Sequence, residues 1–216
     1  GIAGFVGPWT ESLLAAMSSA LRHRGPDGEG SFHDSGAGIG LAHRRLSIID
    51  LSDAAAQPMT SADGRFTITY NGEIYNYRAL RHALMDEGVA FASDSDTEVI
   101  LALYARHGPA MLDRLRGMYA FAIWDAEKRG LFLARDPLGI KPLYIADDGG
   151  TLRVASQVKA LRACGGIDTA PQPAGHVGFF LWGYVPEPHT LYRGIRALPT
   201  GTSLWIDASG AGEAAT

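Results

Sequence analysis

Four short stretches of this 216-residue chain are richer in polar and backbone-permissive residues than a hydrophobic core needs. In YNGEIYNY, residues 70–77, the pair Asn71-Gly72 directly follows the alternating run FTITY. Asn-Gly after a strand usually announces a tight hairpin. Here a Glu-Ile-Tyr-Asn run and then a helix follow, so the pair reads instead as the lip of a pocket. A side-chain amide beside a glycine N–H can give two donors to one oxygen, the arrangement that stabilises an oxyanion. In LAHRRLSIIDLS, residues 41–52, alternation sends Arg44 and Arg45 to opposite faces, so one of them looks inward. A guanidinium fork fits a substrate carboxylate bidentately, although an ordinary surface pair accounts for the segment equally well. In SDSDTE, Asp96 falls in the first turn of a helix, where the dipole favours a carboxylate with or without a ligand. HRGPDGEG, residues 23–30, reads as a turn between a helix and a strand. His23 and His43 have no His-x-x-x-His spacing or carboxylate companions, so no metal site is expected. Arg45 for a carboxylate, Asp96 and Glu73 for an ammonium, and Asn71 with Gly72 for a developing oxyanion are together the parts for holding an amino acid. No Ser–His or Cys–His pairing supplies a nucleophile and base. The lone Cys164, in LRACGGID, reads as a buried, inert thiol.

Several elements must position these groups. Thr10 is expected to cap ESLLAAMSSALRH, where Leu13, Leu14, Met17 and Leu21 share a face. Asn76 opens YRALRHALMDE, which stops at Gly88. Ser95 and Glu98 form a capping box at the start of DTEVILALYARH, which stops at Gly108. AMLDRLRG and QVKALRA read as shorter helices. FTITY, MYAFAIWD, GLFLARD, LYIADD and TLRVAS read as strands, with DPLG and DDGG as turns between three of them. Strands joined by hairpins, with helices clustered between, predict antiparallel sheets in an α+β domain. After Pro171 helix and loop letters mix, and residues 208–216 look like a linker. The opening GIAGFVG is apolar and strand-like, which predicts a buried start rather than a frayed one.

Composition narrows the function classes. A net charge of −4 argues against a nucleic-acid footprint. The longest apolar runs are far too short to span a bilayer, and the apolar opening lacks the basic flank of a secretory signal. A single cysteine suits a reducing compartment, so a cytoplasmic location is expected.

The strings GIAGF, LRHRGPDGEG, LAHRRLSIIDLS, AAQPM, YNGEIYNY, SDTEVI, RLRGMYAFAIWD and RDPLGIKPLY occur in this order. The ordered set, from Gly1 to about Asp207, resembles the N-terminal glutaminase domain of asparagine synthetases, class II glutamine amidotransferases of the N-terminal-nucleophile type. RLSIID and GIKPLY favour this branch over those that make phosphoribosylamine or glucosamine phosphate. The resemblance implies a four-layer αββα sandwich of two mainly antiparallel sheets, with residues 1–207 as the glutaminase domain and 171–207 as its run towards a second domain. It implies hydrolysis of L-glutamine to glutamate, with ammonia passed to that synthetase domain. ATP and magnesium belong there, and no cofactor is expected in the glutaminase domain. Arg45 would clamp the glutamine α-carboxylate against a wall of Leu46, Ser47, Ile48 and Ile49. Asn71 and Gly72 would form the oxyanion hole, Glu73 would help hold the substrate, and Asp96 would bind its α-ammonium. The nucleophile would be a cysteine directly before Gly1, with its own α-amine, of unperturbed pKa about 7.7–8.0, as base. Without that cysteine the alternative is a glutamine-binding or structural domain that does not catalyse. A homodimer is compatible with the resemblance; the ammonia acceptor, aspartate by default, is decided in the second domain.

Overall fold

The computed structural model describes residues 1–8, 11–46, 56–207 and 210–216. The chain runs β1 (Ile2–Val6), α1 (Glu11–Ala20), β2 (Gly28–Asp34), β3 (Ile39–Arg45), β4 (Met59–Thr60), β5 (Phe66–Ile74), α2 (Tyr77–Asp86) and α3 (Asp96–His107). It continues through β6 (Gly117–Asp125), β7 (Gly130–Arg135), β8 (Tyr144–Asp147), β9 (Leu152–Ala155), α4 (Val158–Arg162), α5 (Pro173–Trp182), β10 (Ile195–Ala197), β11 (Ser203–Asp207) and β12 (Gly210–Ala211). The strands form two sheets, ordered β10-β8-β9-β1-β3-β2 and β12-β11-β7-β6-β5-β4, and their named pairings are antiparallel.

Side-chain alternation explains the layers. On β1, Ile2 and Val6 face the second sheet, meeting a core that holds Ala120, Ala122 and Trp124 of β6 and Leu131 and Leu133 of β7. Ala3 and Phe5 point the other way, onto Leu14 and Met17 of α1 and Ala160 and Leu161 of α4. On the second sheet, Tyr119, Phe121 and Ile123 of β6 pack with Ile68 and Tyr70 of β5 against Leu84 of α2 and Val99, Ile100 and Leu103 of α3. Strands buried on both faces need helices outside and another sheet inside. The result is a four-layer αββα sandwich, as expected. The polar letters of FTITY lie on the inner side of β5, where the Thr69 hydroxyl donates across to the Ala42 carbonyl of β3 (3.2 Å) and ties the two sheets.

Several local expectations change. FTITY does not end at Asn71: β5 runs on to Ile74, with Asn71 opposite Ala120 and Gly72 opposite Tyr119 of β6. Ser95 does cap α3 by accepting from the Thr97 N–H, but Glu98 leaves the reciprocal box. Its carboxylate takes the N–H groups of Ala92 and Ser93 and the Ser93 hydroxyl, fastening the preceding loop instead. Asn76 makes no cap bond; its amide reaches the Arg114 carbonyl and Arg116 N–H across the sheet end. AMLDRLRG is a 3₁₀ turn over Gly108–Arg114 rather than an α-helix, in keeping with Pro109, which lacks an N–H at its start. The stretch after Pro171 contains α5, which packs through glycines. A Cβ at Gly175 would lie 2.0 Å from the Thr190 carbonyl, and one at Gly178 would lie 2.2 Å from Pro186 Cδ. Its large residues, Phe180 and Trp182 among them, are left exposed. Residues 171–207 supply β10 and β11, strands of both sheets. The end is not a free linker either, since Ala215 exchanges both backbone hydrogen bonds with Ser203 and Gly212 donates to Trp205. The Thr10 cap lies outside the described residues.

Candidate active site

The site opens where the second sheet loses its edge strand. β4 covers β5 only at Thr67 and Ile68. From Tyr70 onward the outer edge of β5 meets no strand among the described residues, and a cleft of about 190 Å³ occupies the space between it, the start of β1 and the first turn of α3. Gly1, Arg45, Leu46, Asn71, Gly72, Glu73 and Asp96 all line it. Ser47, Ile48 and Ile49 lie outside the described residues.

The two donors expected at Asn71 and Gly72 are available for different reasons. Asn71 Nδ2 is buried and has no hydrogen-bond partner. An unsatisfied buried amide costs roughly 1–3 kcal/mol, so native structures rarely leave one without a use. Gly72 stands opposite Tyr119, whose C=O accepts from the Asp136 N–H and whose N–H donates to the Asp136 carboxylate. Both polar groups of Tyr119 therefore point away from β5. In such a pair the Gly72 N–H also points outward, to the edge where Gln57 takes the Tyr70 N–H two residues earlier. The missing side chain is required by packing, because a Cβ at Gly72 would sit 2.2 Å from the Met118 carbonyl.

Asp96, at the start of α3, is buried, and its Oδ2 accepts from the Tyr70 hydroxyl (2.8 Å) and the Ile74 N–H (3.0 Å). Burial raises its pKa, and those hydrogen bonds offset the rise only in part. A carboxylate so placed is improved by a cation. On β3, alternation puts Arg44 on the helix side, where it pairs with Glu29 and donates to the Ser18 carbonyl (3.1 Å). Arg45 falls on the other side, in the cleft wall beside exposed Leu46. Alternation alone leaves that choice between the two arginines open, and the resemblance names Arg45.

Gly1 closes the floor. It exchanges N–H···O=C bonds with Arg44 at 2.7 Å each way, extending the β1–β3 ladder. Burial, then the charges of Arg24 and Lys141, push the amine here from 8.0 down to about 5. His43 lies alongside, buried, with Nδ1 3.4 Å from the Thr69 hydroxyl. Burial first, then the nearby amine and Arg45, push it down to about 3, so it is neutral at pH 7. Among the described residues no cluster of metal-ligating side chains occurs. Cys164 is absent from the cleft; it packs with the α1–α4 layer, its thiol on the Leu13 carbonyl, and burial raises its pKa.

Further wall residues carried no chemical role in the sequence reading: Arg24, Gln57, Tyr70, Met118 and Lys141. Arg24, Gln57 and Lys141 sit in HRGPDGEG, AAQPM and RDPLGIKPLY, strings with recognisable letters but no visible partner. Lys141 is placed by the loop before it. Asp136, fully buried, accepts from the N–H groups of Leu138, Ile140 and Lys141, while Arg135 donates to the carbonyls of Gly139, Lys141 and Leu198.

Comparison with known proteins agrees with the fold. Among solved structures, the glutamine phosphoribosylpyrophosphate amidotransferase of B. subtilis superposes with a TM-score of 0.74 at 22% identity, covering 99% of this chain and 48% of that one. It shares the fold. A putative glutamine-hydrolysing asparagine synthetase of Mycobacterium tuberculosis is 44% identical over 212 residues, covering 93% of this chain and 32% of that protein. Asparagine synthetase B of Escherichia coli is 44% identical over 179 residues, covering 82% and 31%, and asparagine synthetase 1 of Bacillus subtilis is 40% identical over 200 residues, covering 93% and 31%. The chain thus spans about a third of the length of these relatives. Residues 1–215 match the glutamine amidotransferase domain, and the chain belongs to that family.

Proposed function

We propose that this chain is the glutamine-hydrolysing part of an asparagine-synthetase-like amidotransferase, releasing ammonia from L-glutamine for an ATP-dependent domain. The observation that carries this is the buried, unpartnered Nδ2 of Asn71 in a cleft whose other walls hold a buried carboxylate and Arg45. Glutamine supplies a complement to each: its α-ammonium for Asp96 and Glu73, its α-carboxylate for Arg45, and its carboxamide oxygen for Asn71 and Gly72. Leu46 belongs to the wall at the carboxylate end.

Strand alternation supports an inward-facing nucleophile. A Cβ at Gly1 would lie against Arg24 and Leu21, on the outer side. A residue directly before Gly1, continuing β1, therefore turns its side chain inward, to the side of β5 that carries Thr69 and Asn71. A cysteine there attacks the carboxamide carbon, and its proton passes to its own α-amine. The C–S bond forms as the C=O electrons move onto oxygen, held by Asn71 Nδ2 and the Gly72 N–H. Collapse expels ammonia with the proton from that amine, and water then cleaves the thioester to glutamate.

The reading is tested on two forms of the domain. A chain starting at Gly1 binds glutamine without releasing glutamate, whereas the chain with a cysteine placed before Gly1 and a free α-amine hydrolyses it. Failure of the cysteine form to release glutamate while glutamine still binds would leave a binding domain as the correct description.

A further inference from the structure

The cleft has two ends, and one side chain ties them. Gln57 stands just before β4, at the point where β5 loses its ladder partner. Its Oε1 accepts the Tyr70 N–H at 2.7 Å, and its Nε2 donates to the Thr97 hydroxyl at 3.1 Å. Tyr70 immediately precedes the Asn71-Gly72 donors, and Thr97 immediately follows Asp96. The Gln57 backbone is seated in turn against β2, where a Cβ at Gly30 would lie 2.2 Å from its carbonyl. A single amide thus bridges the strand that receives the carboxamide and the helix turn that receives the α-ammonium.

We propose that Gln57 is a positioning residue that sets the distance between these two subsites and so selects a glutamine-length substrate over its one-methylene-shorter homologue, asparagine. The inference rests on the glutaminase reading above. A rigid separation matters because one methylene displaces the reacting carbon by more than an oxyanion hole tolerates. Two hydrogen bonds at one side chain fix that separation without touching the reacting atoms. The parallel tie through Asp96, from Tyr70 OH and Ile74 N–H, holds the carboxylate itself but not the strand edge at Tyr70.

The test compares glutamine and asparagine hydrolysis by the natural full-length protein and three variants, with melting temperatures alongside. A single methylene is worth about 10–200-fold in kcat/KM at a fitted site. Gln57→Leu is expected to lower the glutamine-to-asparagine ratio at least fivefold, mainly through kcat for glutamine. Gln57→Glu keeps an acceptor for Tyr70 and lets the Thr97 hydroxyl donate to it, so the ratio should stay within about threefold of wild type even if overall affinity falls beside Asp96. Thr97→Val cuts only the helix end of the tie and should shift the ratio in the same direction as Gln57→Leu, which keeps the proposal testable should the leucine variant not fold. An unchanged ratio in folded Gln57→Leu or in Thr97→Val would overturn the proposal. So would an equal loss of selectivity in Gln57→Glu. Wild-type protein that hydrolyses neither substrate would overturn the glutaminase reading and this proposal with it.

Discussion

Asn71 and Asp96 carry opposite liabilities in the cleft, one an unmet donor and the other a charge that burial disfavours. Asn71→Ala removes a transition-state donor, and the expected loss is about 3 kcal/mol in kcat/KM, falling on kcat rather than KM. Steady-state kinetics on the cysteine-bearing form checks the split. Asp96→Asn separates binding from stability. The folded Asp96 pKa is raised, so its favourable contribution exists below the ordinary carboxylate pKa and is lost as pH rises through the folded value. At pH 7 the charge weakens the fold, and an Asn oxygen can still accept from Tyr70 and Ile74. The variant should therefore melt higher than wild type at pH 7 and show no such gain near pH 3, while binding glutamine weaker by roughly 2–5 kcal/mol for want of an ammonium partner. Thermal scans at the two pH values and calorimetric titration read out both halves.

At the scale of elements, β5 is the functional strand, and its geometry comes from its neighbours. One edge is bonded to β6 over nine residues, whereas β4 covers the other at two residues, leaving donors to face the cleft. Gly72 must stay small for β6 to approach. Gly72→Ala places a Cβ against the Met118 backbone carbonyl, which cannot swing aside as a side chain can. The expected effect is roughly 1–3 kcal/mol of destabilisation from overpacking, read as a lowered urea midpoint, with loss of glutamine turnover beyond what the stability change explains. The sequence shows this strand's start clearly through FTITY. Its continuation through Asn71-Gly72 is hidden, because the local turn preference of Asn-Gly is overridden by nine residues of pairing with GMYAFAIWD. The capping box at Ser95 is half legible for a similar reason. Ser95 acts locally on α3, while Glu98 is recruited by the loop at Ala92–Ser93.

Across the whole molecule, the sandwich is held by strands that are apolar on both faces, and its site lies at one end of the inner layer. Two hydrophobic layers outside and one between sheets account for the buried apolar residues on both faces of β1, β3, β6 and β7. α5 differs, burying a glycine face and exposing Phe180, Leu181 and Trp182, with Tyr184 exposed just beyond its end. What the sequence by itself determined is what depends on neighbours along the chain: strand and helix periodicity, the α+β class, the Ser95 cap, and the ordered strings that bring Arg45, Asn71, Gly72, Glu73 and Asp96 forward as candidates. The tertiary structure decided what depends on approach in space. It tied the Arg44 guanidinium to Glu29 and the Ser18 carbonyl, left Asn71 Nδ2 without a partner, brought Arg24 and Lys141 to the amine, and bridged the two subsites with Gln57. Those outcomes rest on hydrogen bonds and charges between residues tens of positions apart, for which no local pattern in the chain is a signal.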